Sequence, residues 1–128
     1  MALVLLYNIK DEAKRLKIGF AARKLGVAVR CVPPELYSQP VGSLLGLEGF
    51  SPSDVPTEPF ETEMLLMHDL SSVQFSGFLE ALRRGRTPVA LKAVVTEHNV
   101  NWSSAALCRE LQREHEAMKR AGKSAHPR

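Results

Sequence analysis

Lysine and arginine are missing from the middle of this 128-residue chain: between Cys31 and Leu82 there is none, against eight Asp and Glu. The flanks, residues 1–30 and 83–128, carry net charges of +5 and +6 around that −8 centre. A nucleic-acid interface needs one continuous basic face to displace counterions from phosphates, so this interrupted pattern argues against one. It suits a solvated surface, head-to-tail self-association or an acidic partner. Cysteine is sparse too. Cys31 and Cys108 stand far apart with no CxxC, which excludes a disulfide framework or a zinc ribbon and fits a reducing, cytoplasmic compartment. No apolar run approaches the ~18 residues of a membrane helix. The opening "MALVLLYN" lacks a basic flank and is too short for a secretory core. GK[ST] and G-x-S-x-G motifs are absent, and two ligands such as Cys108 and His115 do not make a metal site. No metal or cofactor is therefore expected.

Hydrophobic residues make up 45% of the chain and charged ones 24%, an ordinary globular balance. The length suits one domain, taken as residues 1–120 with a flexible basic tail over 121–128. "ALVLLYN" (2–8) reads as a strand buried on both faces, followed by a helix over 11–25. In that helix Ala13, Leu16, Phe20, Ala21 and Leu25 form the apolar stripe, with Lys17 and Lys24 snorkelling inside it, and Gly26 ends it. "VAVRCV" (27–32) is a second strand and "EMLLMHD" (63–69) a third. Ser71 and Gln74 then form a capping box, and Phe75, Phe78, Leu79 and Leu82 repeat at helical spacing up to Gly85, the expected stop. "PVALKAVVT" (88–96) is a fourth strand. A last helix starts near Ser103 and buries Leu107, Leu111 and Met118, with Cys108 and His115 inward. No internal repeat stands out. The alternation predicts a small doubly wound parallel α/β sheet, strand order 2-1-3-4, with helices on both faces in three layers. A ferredoxin-like antiparallel sheet is the alternative.

In such a sheet ligands collect at the carboxyl ends of the strands, where the winding reverses. That crevice would lie between strands one and three and gather Tyr7, Asn8, Thr96, Asn99, Asn101 and Trp102. His68, Asp69 and His98 lie nearby, although adjacent His68 and Asp69 face opposite ways along a strand. Asn and Ser equally serve turns and caps. The segment "SQPVGSLLGLEGF" (38–50) falls in the long connection before strand three. It reads as a cap over the crevice: a short helix starting at Pro40, leucines turned inward, and Gly46 and Gly49 for positive φ or close approach, these two and Gly42 belonging to the ligand-binding set. Gln39 and Glu48 complete the ligand-binding set. Lys92, inside "VALKAVV", is either a buried base or Schiff-base amine, paired with Tyr7 or Glu48, or an edge-strand guard facing water. The first reading makes the chain an enzyme. The polar set without a nucleophile and base favours a small binding or regulatory module for a small molecule or protein.

The phrases "LLYNI", "QPVGSLLGLEGF", "EMLLMHDLSSVQFSGFLEALRR", "VALKAVVTEHNVNWS" and "LCRELQREHEAM" together resemble a small bacterial family catalogued as domain of unknown function 3783. The resemblance runs from about Ala2 to Met118. It rests on Gln39, Pro40, Gly42, Leu45, Gly46, Glu48, Gly49, Lys92, Thr96, Asn99 and Trp102. It implies a stand-alone cytoplasmic domain and carries no activity with it. His68-Asp69 departs from the pattern, where relatives prefer small or apolar residues.

Overall fold

The computed structural model describes residues 1–51 and 59–124, with side chains to Arg120. Strand β1 (Leu3–Tyr7), helix α1 (Glu12–Lys24) and strand β2 (Ala28–Cys31) form a first unit. A 3-10 turn at Pro34–Leu36 and the one-turn helix α2 (Val41–Leu44) follow. Strand β3 (Met64–His68), helix α3 (Ser72–Arg84) and strand β4 (Leu91–Val94) form a second unit, and α4 (Ser104–Ser124) closes the chain. The last helix thus takes in the first four residues assigned to the flexible tail. The rest of that tail lies outside the described residues.

The four strands make one open sheet in the expected order β2-β1-β3-β4. β1–β2 and β3–β4 are parallel, but the central pair β1–β3 is antiparallel. Tyr7, the last residue of β1, faces Met64, the first of β3. The 32–63 connection leaves β2 and enters β3 at the same rim, so β3 runs back. A run buried on both faces carries no record of its direction, which is why the sequence pattern missed this. The carboxyl ends of β1 and β2 therefore lie on one rim and those of β3 and β4 on the other. The shared crevice expected between strands one and three does not form.

This reversal exposes a repeat that sequence comparison overlooks. The two units match in length at every element: five-residue strand, thirteen-residue helix, four-residue strand. Each first strand is followed by an Asx residue in the left-handed region, Asn8 at φ 63° and Asp69 at φ 61°. Ile18 and Ala22 are the buried residues of α1, and Phe78 and Leu82 take the equivalent places in α3. Both helices end in the same C-terminal hydrogen-bond pattern. Gly26 donates to Arg23 O and Val27 to Ala22 O, while Arg86 donates to Arg83 O and Thr87 to Leu82 O. The left-handed residue of the second unit is Arg86, at φ 55°; Gly85, expected to be the stop, has φ −76°. Leu5 of β1 pairs with its own counterpart, Leu66 of β3, so the local twofold passes through that pair.

A twofold normal to the sheet keeps faces in place, so α1 and α3 cover the same face. Val4, Leu6, Leu65 and Met67 pack there against Ile18, Ala22, Phe78 and Leu82. The other face, with Leu3, Leu5, Tyr7, Met64, Leu66 and Leu91, is closed by Tyr37, Val41, Leu107 and Cys108. Each large side chain so buried contributes about 1.5–3 kcal/mol. Two expectations for the helices fail. Leu16 and Phe20 of α1 point to water, 64% and 61% exposed, because the core takes Ile18 and Ala22 instead. In α4 the inward stripe stops at Leu111; His115 is exposed and Met118 is 75% exposed, since that part of the helix runs beyond the core.

Candidate functional site

The residues expected to gather at one crevice are distributed over several structural tasks. Tyr7 is fully buried, and its hydroxyl lies 2.7 Å from Ser104 Oγ at the start of α4. Burial pushes its phenol far above the usual tyrosine range, against the opposing effect of the Ser104 hydrogen bond. Asn8, held in the left-handed region, donates its amide to the carbonyls of Phe60 and Thr62 and accepts from the Tyr37 hydroxyl at 3.0 Å. Tyr37 stacks on Phe60 with ring centroids 4.4 Å apart. These groups lock the 32–63 connection onto the end of β1.

Thr96 and Asn99 form a closed turn after β4. Thr96 N–H donates to Asn99 Oδ1, Asn99 N–H to Thr96 Oγ1, and the Asn99 amide to Val94 O. Their polar atoms are used in ending the strand. The 38–50 segment does dock as a cap. Val41 N–H donates to Trp102 O, Gly42 N–H to Val100 O, and Pro40 bridges to Ser103. Leu44 and Leu45 pack on the core beneath. The cap thus covers a filled core face. Gly42 is required for close approach: an added Cβ would stand 2.5 Å from Cγ of Phe50. Gly46 and Gly49 meet nothing there, but both have positive φ. Gln39 is half-buried, Glu48 and Asn101 are exposed, and Trp102 is 37% exposed. Among the described residues no three His, Cys, Asp or Glu come together as a metal site.

Lys92 lies on the edge strand, exposed, with its ammonium 3.2 Å from Val89 O. The burial expected of a Schiff-base amine is absent at this position. His68 and Asp69 sit at the rim opposite Tyr7.

A larger concavity lies elsewhere. Between α1 and α3, on the side away from the sheet, runs a groove of about 890 Å³ lined by Leu16, Phe20, Ala21 and Leu25 of the first unit and Gly77 and Ala81 of the second. At one end the helices close tightly. The Gln74 amide donates to Leu25 O at 3.0 Å, and a Cβ on Gly77 would meet Leu25 at 3.1 Å. Lys17, Arg23, Lys24 and Arg84 rim the groove, with Glu80 the one acid. Glu80 is engaged by Arg83 and Arg84, which holds its carboxyl below the usual range. The Lys24 ammonium reaches over the Phe20 ring, 5.5 Å from its centroid. The sequence contained the signal, a Leu16–Phe20 pair one helical turn apart, but a helical stripe does not say which way it faces.

The local twofold acts as an internal control on this surface. The α3 positions matching Leu16 and Phe20 are Ser76 and Glu80, so the fold accepts polar residues there. The exposed apolar pair is not a demand of the architecture.

A family model described as a domain of unknown function, DUF3783, matches residues 63–118, from the entry to β3 into α4. The resemblance read from the sequence holds for that part; the first unit and the 38–50 cap lie outside the match. Comparisons with curated proteins and with solved structures return no match.

Proposed function

We propose that the protein is a small binding module whose α1–α3 groove receives the apolar face of an acidic amphipathic helix from a protein partner. The observation that carries this reading is the exposure of Leu16 and Phe20 along the groove between two helices. Exposed apolar residues in a concave, polar-rimmed strip are the usual mark of helix-in-groove recognition. The rim chemistry selects the occupant. Lys17, Arg23, Lys24 and Arg84 outnumber Glu80, so acidic flanks on the incoming helix are favoured and basic ones repelled. The same rim disfavours a dimer through this face, because two copies would set like charges against each other.

A reducing compartment suits the two cysteines, both free, with Cys31 exposed and Cys108 buried. No helix among the described residues is long and apolar enough to cross a membrane. The family resemblance leads us to place the module in a bacterial cytoplasm.

The test is a titration by fluorescence anisotropy. The probe is a labelled peptide of about 18 residues, with leucines at helical spacing on one face and glutamates on the other. The expected result is saturable 1:1 binding that Phe20→Glu abolishes and a sequence-scrambled peptide does not reproduce. Equal binding by the Phe20→Glu variant, or by the scrambled peptide, would remove the groove from consideration.

A further inference from the structure

We propose a second site: a cleft beside β4 that binds a phosphomonoester carried on an apolar body. The cleft, about 560 Å³, is lined by Leu79, Leu82, Pro88 and Val89, with Arg83, Arg86 and Lys92 as its cations. Arg83 is engaged by Glu80. The guanidinium of Arg86 has no hydrogen-bonded or ionic partner among the described residues, and Lys92 reaches a neutral carbonyl alone. Among the described residues these two positive charges are uncompensated, and they border an apolar floor. A phosphomonoester carries between one and two negative charges near neutral pH, with three strong acceptor oxygens, and so balances the pair. Arginine supplies a planar fork of donors and lysine a point charge, the usual combination for phosphate.

The local twofold gives this cleft an internal control. The register places Lys92 opposite Leu65 just as Val29 stands opposite Val4, so Val29 is the counterpart of Lys92. Gly26 is the counterpart of Arg86, both in the left-handed region after their helices. The first unit carries glycine and valine at these two positions and neither cation, although its connection from helix to strand, residues 25–27, is shorter than residues 85–90 of the second. Neither charge is needed for the fold. Arg86, moreover, occupies a conformation that glycine adopts without strain and that a side chain disfavours. A strained, unpartnered arginine beside a concave apolar surface is the pattern expected of a residue kept for a ligand. The site adjoins the helix groove at Thr87, which lines both, and does not depend on it.

The experiment borrows the first unit's residues. Arg86→Gly and Lys92→Val are the substitutions that the matching unit already accommodates, so folding is expected to survive both, with cooperative melting as the check. Phenyl phosphate, phenylacetate and inorganic phosphate are titrated into the native protein and followed by amide NMR. The expected result is saturable binding of phenyl phosphate with shifts centred on Val89 and Lys92. Each variant should weaken it by at least about tenfold. Inorganic phosphate should bind more weakly, for want of the apolar body. Vesicles containing phosphatidic acid separate the sources. Retention on them that phenyl phosphate competes away indicates a lipid headgroup in this cleft, and no retention by a protein that binds phenyl phosphate indicates a soluble ester. Phe20→Glu should leave phenyl phosphate affinity unchanged, which keeps this result separate from the peptide titration. Unchanged affinity in Arg86→Gly and Lys92→Val, equal binding of phenylacetate, or no saturable binding would each overturn the proposal.

Discussion

Leu5 of β1 and Leu66 of β3 face each other across the central antiparallel pair and are equivalent residues of the two βαβ units. Both are fully buried. Everything the two units share is arranged about this pair, so its two members should be worth similar amounts. Leu5→Ala and Leu66→Ala are each expected to cost about 2–5 kcal/mol, with the two values close together. Urea unfolding of the two variants measures this. A large difference between them would show that the shared backbone does not carry shared packing.

The strand order was legible because apolar runs and helical periodicities alternate, and short connections restrict how they assemble. Strand direction was not legible at β3, where "MLLM" reads the same in either sense, and the site prediction depended on that direction. The repeat escaped notice because its units agree in backbone rather than side chains. Asn8 and Asp69 hold nearly the same φ, and Gly26 and Arg86 both lie in the left-handed region, yet Phe20 matches Glu80 and Val29 matches Lys92. The cap was read correctly as docked, through Pro40, Val41 and Gly42, although what lies beneath it is packed core. Lys92 carried two readings, and the sheet order that predicted an edge also placed it there.

Leu16 and Phe20 offer a clean separation of function from stability. Both are mostly exposed, so Leu16→Ser and Phe20→Glu, which copy Ser76 and Glu80, should alter stability by no more than about 0.5 kcal/mol. Thermal melts of the two variants provide the check. If either unfolds the chain substantially, the side chain is part of the core and the groove is narrower than its geometry indicates.

The backbone at Arg86 makes a prediction of opposite sign to most substitutions. Arg86→Gly relieves a left-handed side chain and should stabilise the fold by about 0.5–1 kcal/mol, partly offset by the larger chain entropy of an unfolded glycine. Gly26→Arg should destabilise by a comparable amount, since its φ of 76° disfavours any side chain. Chemical denaturation of both variants tests the pair. Two changes of the same sign would contradict the equivalence of the two helix ends.

The chain's two tyrosines, Tyr7 and Tyr37, are both buried, and burial raises both phenols above their ordinary value. In the unfolded chain each ionises near pH 10. Above that pH the unfolded state loses protons that the folded state retains, so stability is full below about pH 10 and falls as pH rises towards the folded values. Absorbance at the phenolate band should therefore stay silent near pH 10 and rise together with unfolding seen by circular dichroism. Tyr7→Phe should flatten the alkaline loss while lowering stability at neutral pH by about 1 kcal/mol, because Ser104 Oγ loses its buried partner. Adding Ser104→Ala removes the stranded hydroxyl and should recover part of that cost, measured as a double-mutant cycle. An ordinary phenolate titration in a still-folded chain would mean that the tyrosines are open to water and that the Tyr7–Ser104 contact does not close the core.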